Sequence, residues 1–307
     1  METQLIKRDC GDLLQSRYGE GKLICLGLDP TYERLPGSVL CRYDDPDVPD
    51  LEKAIAALDF CVRIVDATHD LVAAYKPNTA FFEALGWEGY MTLEVLIRHI
   101  RRVAPHVVIV VDAKRGDIGK TNTGSVHYFF DRLKADAITV NPYFGEEALE
   151  PFLAREDKMV IVLCRTSNKG AREFQSVPVT PSEGELEALG IDPGRTNIPL
   201  YEFVAMRVGK WQFMGKAAVV VGATAPEELE EVRGILPEIT ILMPGIGAQG
   251  GKLELAVEKG LTTVGDGGLF NAGSEGLYAS SEADFAEAAR RYVLTMDSNI
   301  RQLVLAA

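Results

Sequence analysis

One stretch of the chain, VVIVVDAKRGDIGKTN, runs five apolar residues into an aspartate and then a lysine two positions on, Asp112 and Lys114. Residues two apart in a strand project from the same face. The apolar run ahead of them predicts a deeply buried strand. A lone charge there would be very costly, so each needs a partner. Lys76, near the end of another short apolar run (AAYKPN), and Asp117, just beyond Lys114, would complete an alternating Lys-Asp-Lys-Asp array. An ammonium held in such an array can stabilise a negative charge as it forms and then deliver a proton. The plainer alternative is a structural ion-pair cluster. Two lysines and two aspartates at strand ends facing one mouth favour the chemical reading.

Other polar residues gather at similar places. Asp29 follows LICLGL, Asn78 follows Lys76, Asn141 ends AITV, and Thr166, Ser167 and Asn168 follow MVIVLCR. The runs themselves read as eight strands: Leu23 to Leu28, Ala73 to Asn78, Val107 to Lys114, Ala137 to Tyr143, Met159 to Thr166, Ala217 to Ala223, Thr240 to Gly245 and Gly267 to Ser274. Amphipathic stretches lie between them, among them LEKAIAALDFCVRIVDATHD and EALGWEGYMTLEVLIRHIRRV. In the second, Met91, Val95, Leu96, Ile100 and Val103 recur near the helical period. The closing stretch predicts a helix capped at Ser281 or Glu282. Eight strands alternating with helices predict parallel α/β architecture, and eight is the number that closes a (β/α)8 TIM barrel. In that fold the C-terminal strand ends line the active-site mouth. Alternation alone leaves an open doubly wound sheet as the other arrangement. The whole chain, residues 1–307, reads as a single domain. The Pro-, Gly- and acid-rich segment from Ser176 to Pro199 is a loop excursion, within about 170–200, after the fifth strand.

Composition narrows the classes. Hydrophobic residues make up 47% of the chain, enough for a large core, and the net charge is −13. A nucleic-acid binder would carry a basic face, so that partner is disfavoured. Five cysteines (Cys10, Cys25, Cys41, Cys61, Cys164) form no C-x-x-C pair, which predicts reduced thiols. The opening METQLIKRDCGDLL has no apolar signal core, and no run approaches a membrane span, so the cytoplasm is the expected location. His69, His99, His106 and His127 lack ligand spacing, and no metal is expected. GIGAQG, Gly245 to Gly250, fits a dinucleotide fingerprint, with Asp266 at a suitable distance. Its late position leaves too little chain for the rest of a doubly wound NAD domain. The same loop serves as well to close over a phosphate.

The motif Asp112-x-Lys114-x-x-Asp117-Ile118 resembles the D-x-K-x-x-D-I signature of the orotidine 5′-phosphate decarboxylase family. LGLDP, KPNTAFFEALGWEG, NPYFGEEALEPF, CRTSNKGAREFQ and MPGIGAQGG resemble further segments of its longer bacterial subgroup, in order along nearly the whole chain. D-x-K-x-x-D alone also occurs in related sugar-phosphate enzymes, which usually use magnesium. Those lack the KPN and DIG-x-T context found here. The resemblance implies cofactor-free decarboxylation of a pyrimidine nucleotide. Asp29 and Lys76 would hold ribose hydroxyls. Asp112 would face the substrate carboxylate, and Lys114 would protonate C6. Ser167 would contact the pyrimidine edge. Gln249, with Gly247 in the same loop, would close over the phosphate. Asp117, Ile118 and Thr121 would reach into the partner's site, which implies a homodimer with shared sites.

One position departs from that family. An arginine after the last strand normally grips the 5′-phosphate, yet FNAGSEGLYAS places Glu275 there, and no arginine occurs between Arg233 and Arg290. Three readings follow. Lys252 supplies the cation; or the substrate lacks the 5′-phosphate or carries another group there; or Glu275 is an ordinary exposed residue and the Gly245 to Gly251 loop holds the phosphate.

Overall fold

A strand buried on both faces needs apolar side chains throughout, and the eight apolar runs form such strands. They are β1 (Ile24–Leu28), β2 (Ala74–Pro77), β3 (Val108–Arg115), β4 (Ala137–Val140), β5 (Met159–Arg165), β6 (Lys216–Val221), β7 (Ile241–Met243) and β8 (Gly268–Ala272). All pair in parallel with their neighbours in sequence. β8 closes onto β1 through Ile24 with Phe270, Cys25 with Asn271 and Leu26 with Ala272. Closure settles the choice between barrel and open sheet in favour of the (β/α)8 barrel. The computed structural model describes residues 8–40, 49–190, 192, 197–211, 216–247 and 249–306. Cys41 lies outside them, and the other four cysteines are free and buried. Among the described residues no helix is long and apolar enough to cross a membrane.

Several strands stop short of their apolar runs for local reasons. β4 ends at Val140 because the Asn141 side chain accepts a hydrogen bond from the Tyr143 amide (3.0 Å) and turns the chain into the 3-10 segment Pro142–Phe144. β7 ends at Met243, before Pro244, which has no N–H to donate to a ladder. In the helix Gly86–Val103 the buried stripe is Leu93, Leu96, Ile97 and Ile100, whereas Met91 and Val95 are exposed. The spacing 93, 96, 97, 100 is the tighter match to one helical face, so the face expected from Met91 and Val95 is rotated toward Leu93 and Ile97. The closing helix starts at Phe285, past Ser281 and Glu282, because Ser280 and Asp284 hydrogen-bond to each other in a turn ahead of it.

One element has no counterpart in the sequence reading. The helix Cys10–Gly19 lies across the N-terminal ends of the strands, at the opposite end from the mouth. The Cys10 amide donates to the Asp157 carbonyl, Arg17 to the Val72 carbonyl, and Tyr18 Oη lies 3.4 Å from Thr240. Cys10, Leu14 and Tyr18, four residues apart, bury one side of the helix in the core, and these polar contacts fix its position. The excursion after β5 holds a short antiparallel pair, Pro178–Val179 with Ile198–Pro199, and the helix Glu183–Leu189 with a Ser182/Glu185 capping box. Leu186, Leu189 and Ile198 give it a small apolar cluster of its own.

Candidate active site

Asp112 is the hub of the barrel mouth. Its Oδ2 accepts from Lys76 Nζ at 3.0 Å, and its Oδ1 from Lys114 Nζ at 2.6 Å and Thr139 Oγ1 at 2.7 Å. Lys76 and Asp112 are buried, while half of the Lys114 side chain is exposed. Burial alone would raise the Asp112 carboxyl. The two ammonium groups and the hydrogen bonds from Lys114 and Thr139 outweigh it and hold the carboxyl well below the usual aspartate range. Burial likewise works against the Lys76 ammonium, but Asp112 and Asp29 hold it above the ordinary lysine value. Both members of the pair are therefore charged at neutral pH.

Lys114 reaches this arrangement through an irregular backbone. The β3–β4 register shifts between Val111 and Arg115, and Lys114 itself has φ +46°, in the left-handed region. Such a conformation costs a non-glycine residue about 1–3 kcal/mol. The Lys114 amide donates to Thr139 Oγ1 (2.9 Å), so one threonine fixes both the lysine backbone and the aspartate it pairs with. The simple two-residue alternation expected for β3 thus breaks at Lys114, yet the two charges still meet.

Above this floor lies a cavity of ≈ 740 Å³, a size suited to a small-molecule ligand. Asp29, at the end of β1, lines one wall. Burial holds its carboxyl above the ordinary aspartate value, with Lys76 offsetting part of that shift. Its Oδ1 is buried without a partner among the described residues, as is Oδ1 of Asn271 on β8, which lines the same cavity. Two orphaned acceptors at one wall suit ligand hydroxyl or N–H donors. Ser167 and Gln249 also line the cavity. Gly245 (φ +93°) lets them approach, since a Cβ there would lie 2.8 Å from Ser167 Cβ and 3.1 Å from Gln249 Oε1. Gly247 (φ +77°) is not a lining residue. A side chain there would collide with the Glu275 carboxylate, which does line the cavity.

Other expected residues lie elsewhere. Asp117 and Ile118 are exposed and do not line their own chain's cavity. The Asp117 carboxylate accepts from the Ile118 amide at 2.7 Å. Within one chain the array is therefore Lys76, Asp112 and Lys114, without its fourth member. Thr121 lines a separate surface depression with Arg115 and Tyr128. Lys252 precedes the helix Leu253–Gly260 and is exposed outside the cavity lining, so it is not the cation sought opposite an anionic ligand. Asn141 serves as a cap and faces a different cavity. Arg34 and Asn271, by contrast, were not expected and do line the cavity. Arg34 stands five residues after Asp29 in the same loop, which is the sequence signal that could have found it.

Residues 22–292 match the family described as "Orotidine 5′-phosphate decarboxylase / HUMPS family". The chain belongs to that family. Among curated relatives, orotidine 5′-phosphate decarboxylase from Ralstonia pickettii is 42% identical over 281 residues, 91% of this chain and 93% of the relative. The protein of the same name from Azoarcus is 43% identical over 273 residues, 89% and 90% of the two chains. Among solved structures, Leishmania donovani OMP decarboxylase superposes with TM-score 0.76 at 36% identity, covering 97% of this chain and all of the other. Family membership and the closed barrel leave the GIGAQG loop no doubly wound domain to open, so the dinucleotide reading of it falls away.

Proposed function

We propose that this chain is a carboxy-lyase that converts orotidine 5′-phosphate to uridine 5′-phosphate in pyrimidine biosynthesis. The observation that carries the reading is the Lys76–Asp112–Lys114 array at the floor of a ligand-sized cavity, in a chain of this family. The substrate carboxylate would sit against Asp112. The bond from C6 to the carboxyl carbon breaks, CO2 departs, and the electron pair stays on C6 as an sp2 carbanion that the ring cannot delocalise. Lys114 Nζ stabilises that charge and gives C6 a proton; the resulting amine regains one from solvent. Two unit charges 4 Å apart interact by about 4 kcal/mol at an effective dielectric of 20. Realised only in the transition state, that contact gives roughly a thousandfold in rate. Repulsion between Asp112 and the substrate carboxylate, relieved as CO2 leaves, adds to it. The orphaned acceptors of Asp29 and Asn271 would take ribose hydroxyls, and Ser167 the pyrimidine edge.

A second reading has its own observation. Glu275 lines the cavity where the family's phosphate-gripping arginine is expected, as it would for a nucleoside or a substrate altered at its 5′ group. Comparing CO2 release from orotidine and from its 5′-phosphate decides between them. The first reading expects kcat/KM for the phosphate ester at least about a hundredfold higher, as remote binding energy is drawn on in the transition state. Equal values would favour the nucleoside.

A homodimer with shared sites accounts for residues the single chain leaves outside. Ile118 is 61% exposed, Tyr143 87% and Phe144 51%, all beyond the C-terminal ends of β3 and β4, an apolar surface suited to a partner. Asp117 and Thr121 stand beside it. If Asp117 completes the partner's array, Lys114→Ala and Asp117→Ala should each be inactive, and an equimolar mixture should regain about a quarter of wild-type activity as subunits exchange into closed two-fold dimers. A mixture as inactive as its components would end the shared-site assignment. The free, buried thiols fit a cytoplasmic setting.

A further inference from the structure

We propose that Arg34, from the loop after β1, grips the anionic 5′ group of the substrate in place of the arginine that Glu275 displaces. This rests on the reading of the substrate as a 5′-phosphate ester. Among the described residues, three cations line the cavity: Lys76, Lys114 and Arg34. Both lysines are committed to Asp112. Arg34 is exposed, in the 3-10 turn Tyr32–Arg34, and no described carboxylate lies within ion-pair distance of it. Its guanidinium carbon sits 3.9 Å from the centre of the Tyr278 ring. Tyr278 is three residues past Glu275, so this stacking joins the β1 loop to the segment where the family arginine would stand.

The stack is itself anchored. Tyr278 Oη accepts from the Thr31 amide at 2.6 Å and donates to the Asp29 carbonyl at 3.2 Å. The aromatic shelf is therefore fixed to the same loop that carries Arg34 and the ribose-facing Asp29. Stacking uses the face of a guanidinium and leaves its in-plane N–H donors for an oxyanion, a geometry lysine lacks. The glycine loop is a weaker candidate for holding the phosphate. Its Gly247, Gly250 and Gly251 amides already donate to the carbonyls of Gly251, Gly247 and Gly245. Glu275 shares the cavity rim with Arg34, so the rim carries both signs of charge, and specificity for the phosphate depends on Arg34 outweighing it.

Calorimetric titration of wild type and Arg34→Gln with UMP and with uridine tests this. Wild type should prefer UMP, and Arg34→Gln should lose at least about tenfold of that preference through weaker UMP binding, with uridine affinity held. Glu275→Arg added to Arg34→Gln should restore it. No UMP preference in wild type, an undiminished preference in Arg34→Gln, or an equal loss of UMP and uridine affinity would each overturn the assignment. Failure of wild type to release CO2 from orotidine 5′-phosphate while the preference stands would sink the proposed reaction and leave the role of Arg34 in place.

Discussion

Lys114→Ala is expected to lower kcat by at least about 10⁴-fold, with the fold intact. Two losses combine. In the proposed mechanism the ammonium beside C6 would account for roughly a thousandfold through transition-state charge. In that mechanism the same group would also be the proton donor, and a positioned acid contributes about 10²–10⁴-fold more. Stability should change little, because the hub keeps its other partners: Asp112 still accepts from Lys76 at 3.0 Å and from Thr139 at 2.7 Å. Half of the Lys114 side chain is exposed, so little packing is lost. The left-handed backbone at this position is held by the residue's own amide on Thr139, which alanine retains. Single-turnover CO2 release gives the rate, and circular dichroism with thermal melting checks the fold. Activity within tenfold of wild type would remove Lys114 from the reaction.

The barrel was legible because its strands are buried on both faces. β3 and β5 read as near-continuous apolar runs, and such runs announce parallel strands directly. Asp112 and Lys114 were legible for the complementary reason, since two charges at the end of such a run demand an explanation. What the sequence hid depends on contacts between distant segments. The bottom-capping helix Cys10–Gly19 has a short apolar side, Cys10, Leu14 and Tyr18, and buries the charged Arg17 beside it, a position that only the distant Val72 carbonyl explains. Arg34 faces the cavity only because Tyr278, more than two hundred residues later, offers it a ring to lie on. Asn271 alternates with apolar Phe270 and Ala272 on β8, and only barrel closure turns it inward. Lys252 looked suitable as a cation by its place after the glycine loop, but it precedes its helix on the outside. Proximity in sequence was a poor guide to the charge around the rim.

Asp112→Asn should damage turnover and stability together, unlike Lys114→Ala. An amide cannot balance two ammonium groups. Lys76, 5% exposed, would keep only Asp29 as a nearby anion. Removing one partner of a buried pair costs about 3–5 kcal/mol, because the other charge stays buried. Urea midpoints at neutral pH should fall accordingly. If the proposed mechanism holds, turnover should fall by at least about a hundredfold, since Lys114 would lose its anchor and the substrate carboxylate the repulsion relieved on CO2 loss. The pH dependence separates this from a simple packing defect. In wild type the Asp112 carboxyl is held low, so its contribution is complete above the unfolded aspartate pKa and is lost only as pH falls through the lower folded value. Lys76 is held high, so its contribution is present below the ordinary lysine pKa and lost as pH rises through the folded value. Without Asp112, burial pulls Lys76 down relative to wild type, and the folded variant sheds that proton sooner. The stability gap between the two proteins should therefore narrow as pH rises toward the lysine range. A gap constant from pH 6 to 10 would show that Asp112 does not hold the charge of Lys76, and the electrostatic account of the site would fail with it.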